Sequence, residues 1–209
     1  MIINEPIHYS FYAPELYILL FILLFLAYKY KHKVIYFLIF ILSILIIFFY
    51  RKNTNPINME SNTIVSPCEG KILKILKENN KLIVSVFLNV HNVHIQYFPC
   101  SGTIIKKEYK EGEFQPAYLF EKSRYNEQLQ TTMSTRYGEL KINQIAGLVA
   151  RRIVSFNQIG DKVNKGQPMG LIKFGSRVDT YIPIEFIDNV MVKEGDLIKI
   201  GDVLCKMRI

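Results

Sequence analysis

The sequence predicts a mainly β, α+β chain in which an N-terminal hydrophobic helical hairpin precedes a polar domain with lipoyl-like sandwich-barrel elements. Three observations carry this reading. Two long apolar runs fill most of the first fifty residues, and all 11 glycines of the 209 residues fall from Gly70 onward. After residue 62, short strand-like runs alternate with turn residues, without a sustained 3.6-residue period. A G-D-x-[VI]-x-x-G unit occurs twice, as Gly160-Asp161-Lys162-Val163-Asn164-Lys165-Gly166 and again as Gly195-Asp196-Leu197-Ile198-Lys199-Ile200-Gly201.

The first apolar run, Leu16 to Tyr28, is unbroken; the second, Val34 to Tyr50, is interrupted only by Ser43. As helices they reach about 20 Å and about 26 Å, against a hydrocarbon core of roughly 30 Å. Neither spans comfortably, so residues 1–52 are expected to form a membrane-associated hairpin that tilts across the bilayer or dips into one leaflet through residues 11–50. No basic residue precedes the first run and no small-x-small site follows it, which argues against a cleaved signal peptide. Lys29, Lys31 and Lys33 in the connector oppose Arg51 and Lys52 beyond the hairpin, so positive charge does not select a topology.

Asn53 to Asn62, with Pro56, reads as a linker. Strands are expected over Lys71–Leu76, Leu82–Leu88, Gly102–Ile105, Ile142–Ala150, Gly170–Phe174 and Val178–Ile184, with Asn79-Asn80 and Pro99 marking breaks. Pro116 to Gln130 is polar enough for a short helix or a loop. The repeated unit fits hairpin turns of a lipoyl-like barrel. Cys205-Lys206-Met207 superficially resembles a carrier lysine, but the sequence stops at Ile209 with no strand for the far side of such a hairpin, so the repeat is expected to be scaffold.

Hydrophobic residues make up 50% of the chain and the mean hydropathy is +0.15, which excludes extended disorder, a coiled coil and a small disulfide-stapled fold. Cys68, Cys100 and Cys205 are scattered and form no CxxC pair. Of the formal net charge of +8, all but one unit belongs to the polar domain. This fits an anionic partner such as a lipid surface or a nucleic acid, although lysine excess also serves solubility.

Three segments can carry chemistry: Ser66-Pro67-Cys68-Glu69-Gly70, Asn92-Val93-His94-Ile95-Gln96-Tyr97-Phe98-Pro99-Cys100-Ser101-Gly102, and Phe174-Gly175-Ser176-Arg177-Val178-Asp179. As residue types they are either a carboxylate–histidine–serine relay or three ordinary residues, and spacing does not decide between them. In this order, however, they resemble the short form of the phosphatidylserine decarboxylase proenzymes. The resemblance extends through Gln144-Ile145-Ala146-Gly147-Leu148-Val149-Ala150-Arg151-Arg152-Ile153-Val154 and Gly170-Leu171-Ile172-Lys173-Phe174-Gly175-Ser176-Arg177-Val178-Asp179, and Phe48-Phe49-Tyr50-Arg51 matches the family's N-terminal layout.

The resemblance implies a catalytic domain over 53–209 that cuts itself between Gly175 and Ser176, giving a β chain 1–175 and an α chain 176–209. It implies that Ser176 attacks the Gly175 carbonyl, that His94 takes the proton and that Glu69 orients His94. Ser176 then becomes a covalent pyruvoyl cofactor, which forms a Schiff base with phosphatidylserine and releases carbon dioxide to give phosphatidylethanolamine, the work of a pyruvoyl-dependent carboxy-lyase. The implied partners are phosphatidylserine, membrane lipid and the two chains of one precursor, with room for a homo-oligomer and with no nucleic acid. An archaetidylserine decarboxylase is the nearest alternative. A lipoyl-like membrane adaptor without catalysis is more remote, because Gly175-Ser176 and His94 are intact.

Two departures stand out. Glu69 occupies a position where the family has aspartate, and Asn126-Glu127-Gln128 replaces Asn-Glu-Arg, leaving Arg124 or Arg136 to stand in for the missing arginine. His91 and His94 form H-x-x-H; on an extended strand these point to opposite faces, so no metal is expected and His91 is assigned to the surroundings of the site. Arg151, Arg152 and Arg177 are candidates to hold the substrate phosphate or carboxylate, or else belong to structural ion pairs.

Overall fold

The two apolar runs become helices α1 (Pro14–Lys29) and α2 (Lys33–Phe49), which pack on one another through a tight reversal. The reversal needs a left-handed residue, and Lys31 supplies it with φ 56°. The His32 N–H then returns to the Ala27 carbonyl at 3.0 Å, satisfying an end of α1. Ser43, the polar interruption of α2, donates its hydroxyl to the Ile39 carbonyl at 2.8 Å, so its donor is satisfied inside the helix. Phe21, Ile35, Phe37 and Leu45 are exposed, and the apolar character runs around both helices rather than along one stripe.

The computed structural model describes residues 14–148, 153–172 and 176–208, and the chain divides between Lys52 and Asn53 into two units. Among the described residues no helix is long and apolar enough to cross a membrane.

The second unit contains strands β1 (Thr63–Val65), β2 (Gly70–Glu78), β3 (Lys81–Leu88), β4 (Ile95–Tyr97), β5 (Gly102–Lys110), β6 (Gln128–Thr135) and β7 (Gly138–Ala146). They are followed by β8 (Ile153–Ser155), β9 (Lys162–Val163), β10 (Pro168–Ile172), β11 (Ser176–Pro183), β12 (Ile187–Val190), β13 (Leu197–Ile198) and β14 (Val203–Met207). The main sheet has the order β13-β2-β3-β11-β7-β6-β5-β9, and two smaller sheets run β1-β14-β12 and β4-β10-β8. Alternation along the strands sends Val84, Val86 and Leu88 of β3, Ile142 and Ala146 of β7, and Val178 and Ile182 of β11 into a core shared with Ile64, Phe98, Ile172 and Leu204. The intervening residues, among them Ile83, Asn143, Arg177, Asp179 and Tyr181, line the other face.

Each expected strand is present. β7 begins four residues before the expected Ile142 and ends at Ala146. Asn79 and Asn80 both take positive φ, 50° and 57°, the conformation of a two-residue turn between β2 and β3. Pro116–Gln130 is a loop with a 3-10 turn at Lys122–Tyr125, and it gives way to β6 at Gln128. The sequence pattern hides β6 because its buried positions, Leu129, Thr131 and Met133, include a threonine amid glutamines and other hydroxyl residues.

The two copies of the repeat supply the two edge strands of the main sheet, β9 on β5 and β13 on β2. Their turns match: Asp161 Oδ2 accepts the Gln158 N–H and Asp196 Oδ2 accepts the Lys193 N–H, both at 2.7 Å. Gly166 (φ 77°) and Gly201 (φ 90°) close the two units, and a Cβ on either would lie 2.7 Å from Ile57. Glycine is required at both, and the linker residue Ile57 is seated between the repeats.

Candidate active site

Gly70 brings the first segment into place. A Cβ there would lie 2.1 Å from the Phe87 carbonyl oxygen, so only glycine lets β2 approach β3 at this point. The Ser66 hydroxyl donates to the Cys68 carbonyl at 2.6 Å and closes the turn before it. Glu69 is thereby held beside the end of β3, half-buried. Its Oε1 accepts a hydrogen bond from Asn92 Nδ2 at 2.6 Å.

Asn92 ends a turn tied twice to Asn89: its Oδ1 accepts the Asn89 N–H at 2.8 Å, and its N–H donates to the Asn89 carbonyl at 2.9 Å. Two residues on, His94 is 1% exposed and places Nδ1 2.8 Å from the Asn92 carbonyl oxygen. A carbonyl only accepts, so Nδ1 carries a proton, and in the neutral form of the ring the basic lone pair is the one on Nε2. Gln96 Nε2 donates to the His94 carbonyl at 2.6 Å, and Gln144 Nε2 on β7 donates to Gln96 Oε1 at 2.8 Å. One hydrogen-bonded path thus joins Glu69, Asn92, His94, Gln96 and Gln144.

Ser176 opens β11, opposite Leu88 of β3 on one side and Ala146 of β7 on the other. It is fully buried, and its hydroxyl has no hydrogen-bond partner among the described residues. Asn126 Nδ2 donates to the Ala146 carbonyl at 2.7 Å and the Ala146 N–H donates to the Glu127 carbonyl at 2.9 Å, which fixes the strand end beside Ser176. His94 is tied to this region by two routes. The Asn89–Asn92 turn leads to it from Leu88, and β4 pairs Ile95 with Leu171 of β10, the strand that precedes β11 in sequence. Gly175, Arg151 and Arg152 lie outside the described residues.

Arg177 is 1% exposed and forms a two-point pair with Asp179, Nε to Oδ1 at 3.0 Å and NH2 to Oδ2 at 3.1 Å. Its NH1 donates to the Phe120 carbonyl at 2.8 Å and to the Ser123 hydroxyl at 2.6 Å. The guanidinium therefore ties the loop after β5 to β11 with two hydrogen bonds, and Asp179 on the same strand holds it in place. Burial pushes the Asp179 carboxyl up, and Arg177 pulls it back down. Burial, followed by the charge of Asp179, also raises the Cys68 thiol, which keeps it protonated and inert.

His91 sits exposed in the Asn89–Asn92 turn rather than on a strand, so the face argument does not apply to the H-x-x-H pair. Among the described residues no three His, Cys, Asp or Glu side chains group to hold a metal. Of the two arginines considered for the one missing at position 128, Arg124 lines the same cavity of about 220 Å³ as Gln128, whereas Arg136 stacks on Tyr137 at 5.3 Å. Asn92, Gln96, Asn126 and Gln144 lie within the segments that resemble the family, but the sequence assigned none of them a role. The available signal was their position: amides in otherwise apolar strand and turn segments next to the histidine and the serine.

Residues 42–206 match the profile of the phosphatidylserine decarboxylase family. The chain is 34% identical over 165 residues to the phosphatidylserine decarboxylase proenzyme of Carboxydothermus hydrogenoformans, covering 76% of this chain and 77% of that one. It is 38% identical over 170 residues to the proenzyme of the same name from Xanthobacter autotrophicus, covering 76% and 72%. It is also 33% identical over 163 residues to a Methanosarcina mazei protein provisionally named archaetidylserine decarboxylase proenzyme, covering 78% and 75%. With this match across most of its length, the chain belongs to the phosphatidylserine decarboxylase family.

Proposed function

We propose that this chain is the precursor of a membrane-associated phosphatidylserine decarboxylase that cuts itself between Gly175 and Ser176. The observation that carries the reading is the Ser176 hydroxyl, fully buried at the head of β11 and without a hydrogen-bond partner among the described residues. A buried polar group left unsatisfied costs about 1–3 kcal/mol, a cost that reactivity explains and packing does not.

In the cut, Ser176 Oγ attacks the Gly175 carbonyl carbon while His94 Nε2 takes the hydroxyl proton, so the peptide C–N bond is exchanged for an ester C–O bond. The Cα proton of residue 176 is then removed and the Gly175 carboxylate leaves from Cβ. Hydrolysis of the resulting dehydroalanine releases ammonia and leaves a pyruvoyl cap on the 34-residue α chain.

The surroundings of Ser176 fit such a cap. Leu88 and Ala146 flank it, and the clamp from Asn126 and Glu127 holds the neighbouring strand. The pyruvoyl ketone supplies an acceptor for the electron pair released when carbon dioxide leaves an amino-acid headgroup. His94, held through Nδ1 by Asn92, keeps Nε2 ready to move a proton at the reacting carbon. Glu69 steadies Asn92 from the other side. The two apolar helices would keep the domain at the lipid surface, and its basic charge would add about 1 kcal/mol of attraction to anionic lipid per well-placed Lys or Arg.

The test is the intact mass of purified chains together with a lipid assay. Wild type is expected as 175-residue and 34-residue pieces, the smaller one pyruvoyl-capped, and Ser176→Ala as one uncut chain. An uncut wild-type chain would remove the proposal. Carbon dioxide release from phosphatidylserine and from archaetidylserine, measured side by side, identifies the lipid backbone.

A further inference from the structure

The face of the main sheet turned away from the core carries a second feature that the reaction does not use. Two adjoining cavities of about 600 Å³ and about 220 Å³ share Ile83, Arg124 and Tyr181 in their walls. Arginine and lysine outnumber acids along them, and most charges are paired: Lys106 with Glu108 at 3.0 Å, Arg124 with Glu78 at 3.3 Å, and Arg177 with Asp179. Lys81, Lys110 and Lys141, which also line these cavities, have no ion-pair partner among the described residues.

Lys81 and Lys110 both act on Lys141. Burial lowers the Lys141 ammonium, Lys81 and Lys110 lower it further, and Glu108 and Asp179 oppose them. Lys141 Nζ rests 4.0 Å from the centre of the Tyr181 ring, which holds it over the cavity wall by a cation–π contact. On the cavity floor Asn143 is 3% exposed and its Oδ1 has no hydrogen-bond partner among the described residues. Lys81 Nζ donates to the Glu139 carbonyl at 3.1 Å, but none of the three ammonium groups meets a carboxylate in an ion pair among the described residues. Such a cluster calls for an anion, and a spare buried acceptor calls for a hydroxyl or amine on the same ligand.

We propose that the two joined cavities bind a phosphate ester through Lys81 and Lys141 of the larger and Lys110 of the smaller, with Asn143 of the smaller accepting from a hydroxyl or amine of the ligand. A phosphate bound by these ammonium groups gains charge-assisted hydrogen bonds and offsets their mutual repulsion. The site lies back to back with the reaction site, because β11 sends Ser176 to the core side while Arg177, Asp179 and Tyr181 line the cavities on the other. Two sources share this chemistry, a soluble phosphate ester and the headgroup of an anionic phospholipid.

The experiment uses full-length Ser176→Ala in detergent, so binding is read without turnover and without regard to whether wild type cuts itself. Glycerol phosphate and dihexanoyl phosphatidylglycerol are titrated separately by calorimetry at fixed ionic strength. Saturable binding is expected, weakened about tenfold or more by adding Lys110→Gln with Lys141→Gln and unchanged by Lys199→Gln on an exposed turn, where tenfold corresponds to about 1.4 kcal/mol. Because Lys110 is exposed, Lys110→Gln alone keeps the test usable if the double change unfolds. Lysine-dependent binding of both compounds supports a site for the phosphate ester itself, and binding of the lipid alone supports a headgroup site. Absence of saturable binding, or binding indifferent to the cavity lysines, overturns the proposal.

Discussion

His94 gives its Nδ1 proton to the main-chain carbonyl of Asn92, 2.8 Å away, while the Asn92 side chain donates to Glu69 at 2.6 Å. The carboxylate at the position where the family has aspartate thus reaches the histidine through an asparagine. The longer glutamate fits this arrangement, because its extra methylene is taken up by contact with an amide.

His94→Ala is expected to slow self-cleavage by about 10²–10⁴, the usual worth of a positioned general base. Asn92→Ala keeps the carbonyl but loses both the link to Glu69 and the Asn89 N–H bond, so an effect smaller than that of His94→Ala and at least as large as that of Glu69→Ala is expected. The double variant should be no slower than Asn92→Ala alone, because that change already removes the bond to Glu69. Cleavage rates followed on denaturing gels decide the matter, and additive effects would separate Glu69 from Asn92.

Gly70→Ala should destabilise the domain by about 1–3 kcal/mol or prevent folding, since its Cβ would meet the Phe87 carbonyl at 2.1 Å and backbone cannot rotate away. Denaturant unfolding of the uncut Ser176→Ala background measures this. A variant as stable as its parent would show that β2 and β3 are not so close at this point.

Arg177→Met leaves Asp179 buried beside Ser85 without its cation, and a loss of about 3–5 kcal/mol is expected. Arg177→Met with Asp179→Leu should recover part of it, since no charge is then left alone. If Arg177 instead served only to hold substrate, Arg177→Met would raise KM and leave unfolding unchanged.

Lys107 donates to the Ser155 hydroxyl and the Asn157 carbonyl, and burial lowers its ammonium to about 8. Between pH 8 and the ordinary lysine value near 10.5 the unfolded chain holds a proton that the folded chain has released, so stability from this group rises with pH across that window and is flat below it. The difference in unfolding free energy between wild type and Lys107→Met should move toward wild type from pH 8 to 10.5. A difference that does not vary with pH would show that Lys107 titrates normally.

Several elements were legible because their signals are local. Helix and strand periods, the Asn79-Asn80 turn and the two G-D-x-[VI]-x-x-G units depend on a few neighbouring residues and a few dihedral angles. β6 was not legible, since its buried side includes Thr131 and its exposed side is glutamine and hydroxyl, a pattern with little hydrophobic contrast.

In the site, Ser176, His94 and Glu69 were named by sequence, and their neighbours were not. That the Asn92 carbonyl holds the histidine, that Gln96 and Gln144 connect it to β7, and that Arg177 is committed to Asp179, Phe120 and Ser123 depend on contacts across as many as 57 residues of chain.

The sequence by itself determined an apolar pair of helices, a strand-rich domain and the residues able to carry the chemistry, because composition and short-range period express local preference. The tertiary structure decided the partners. Antiparallel register sets which strand faces Ser176, which face of β11 meets the core and which carries charge, and that register is selected by burial over the whole sheet, which no short stretch of sequence encodes.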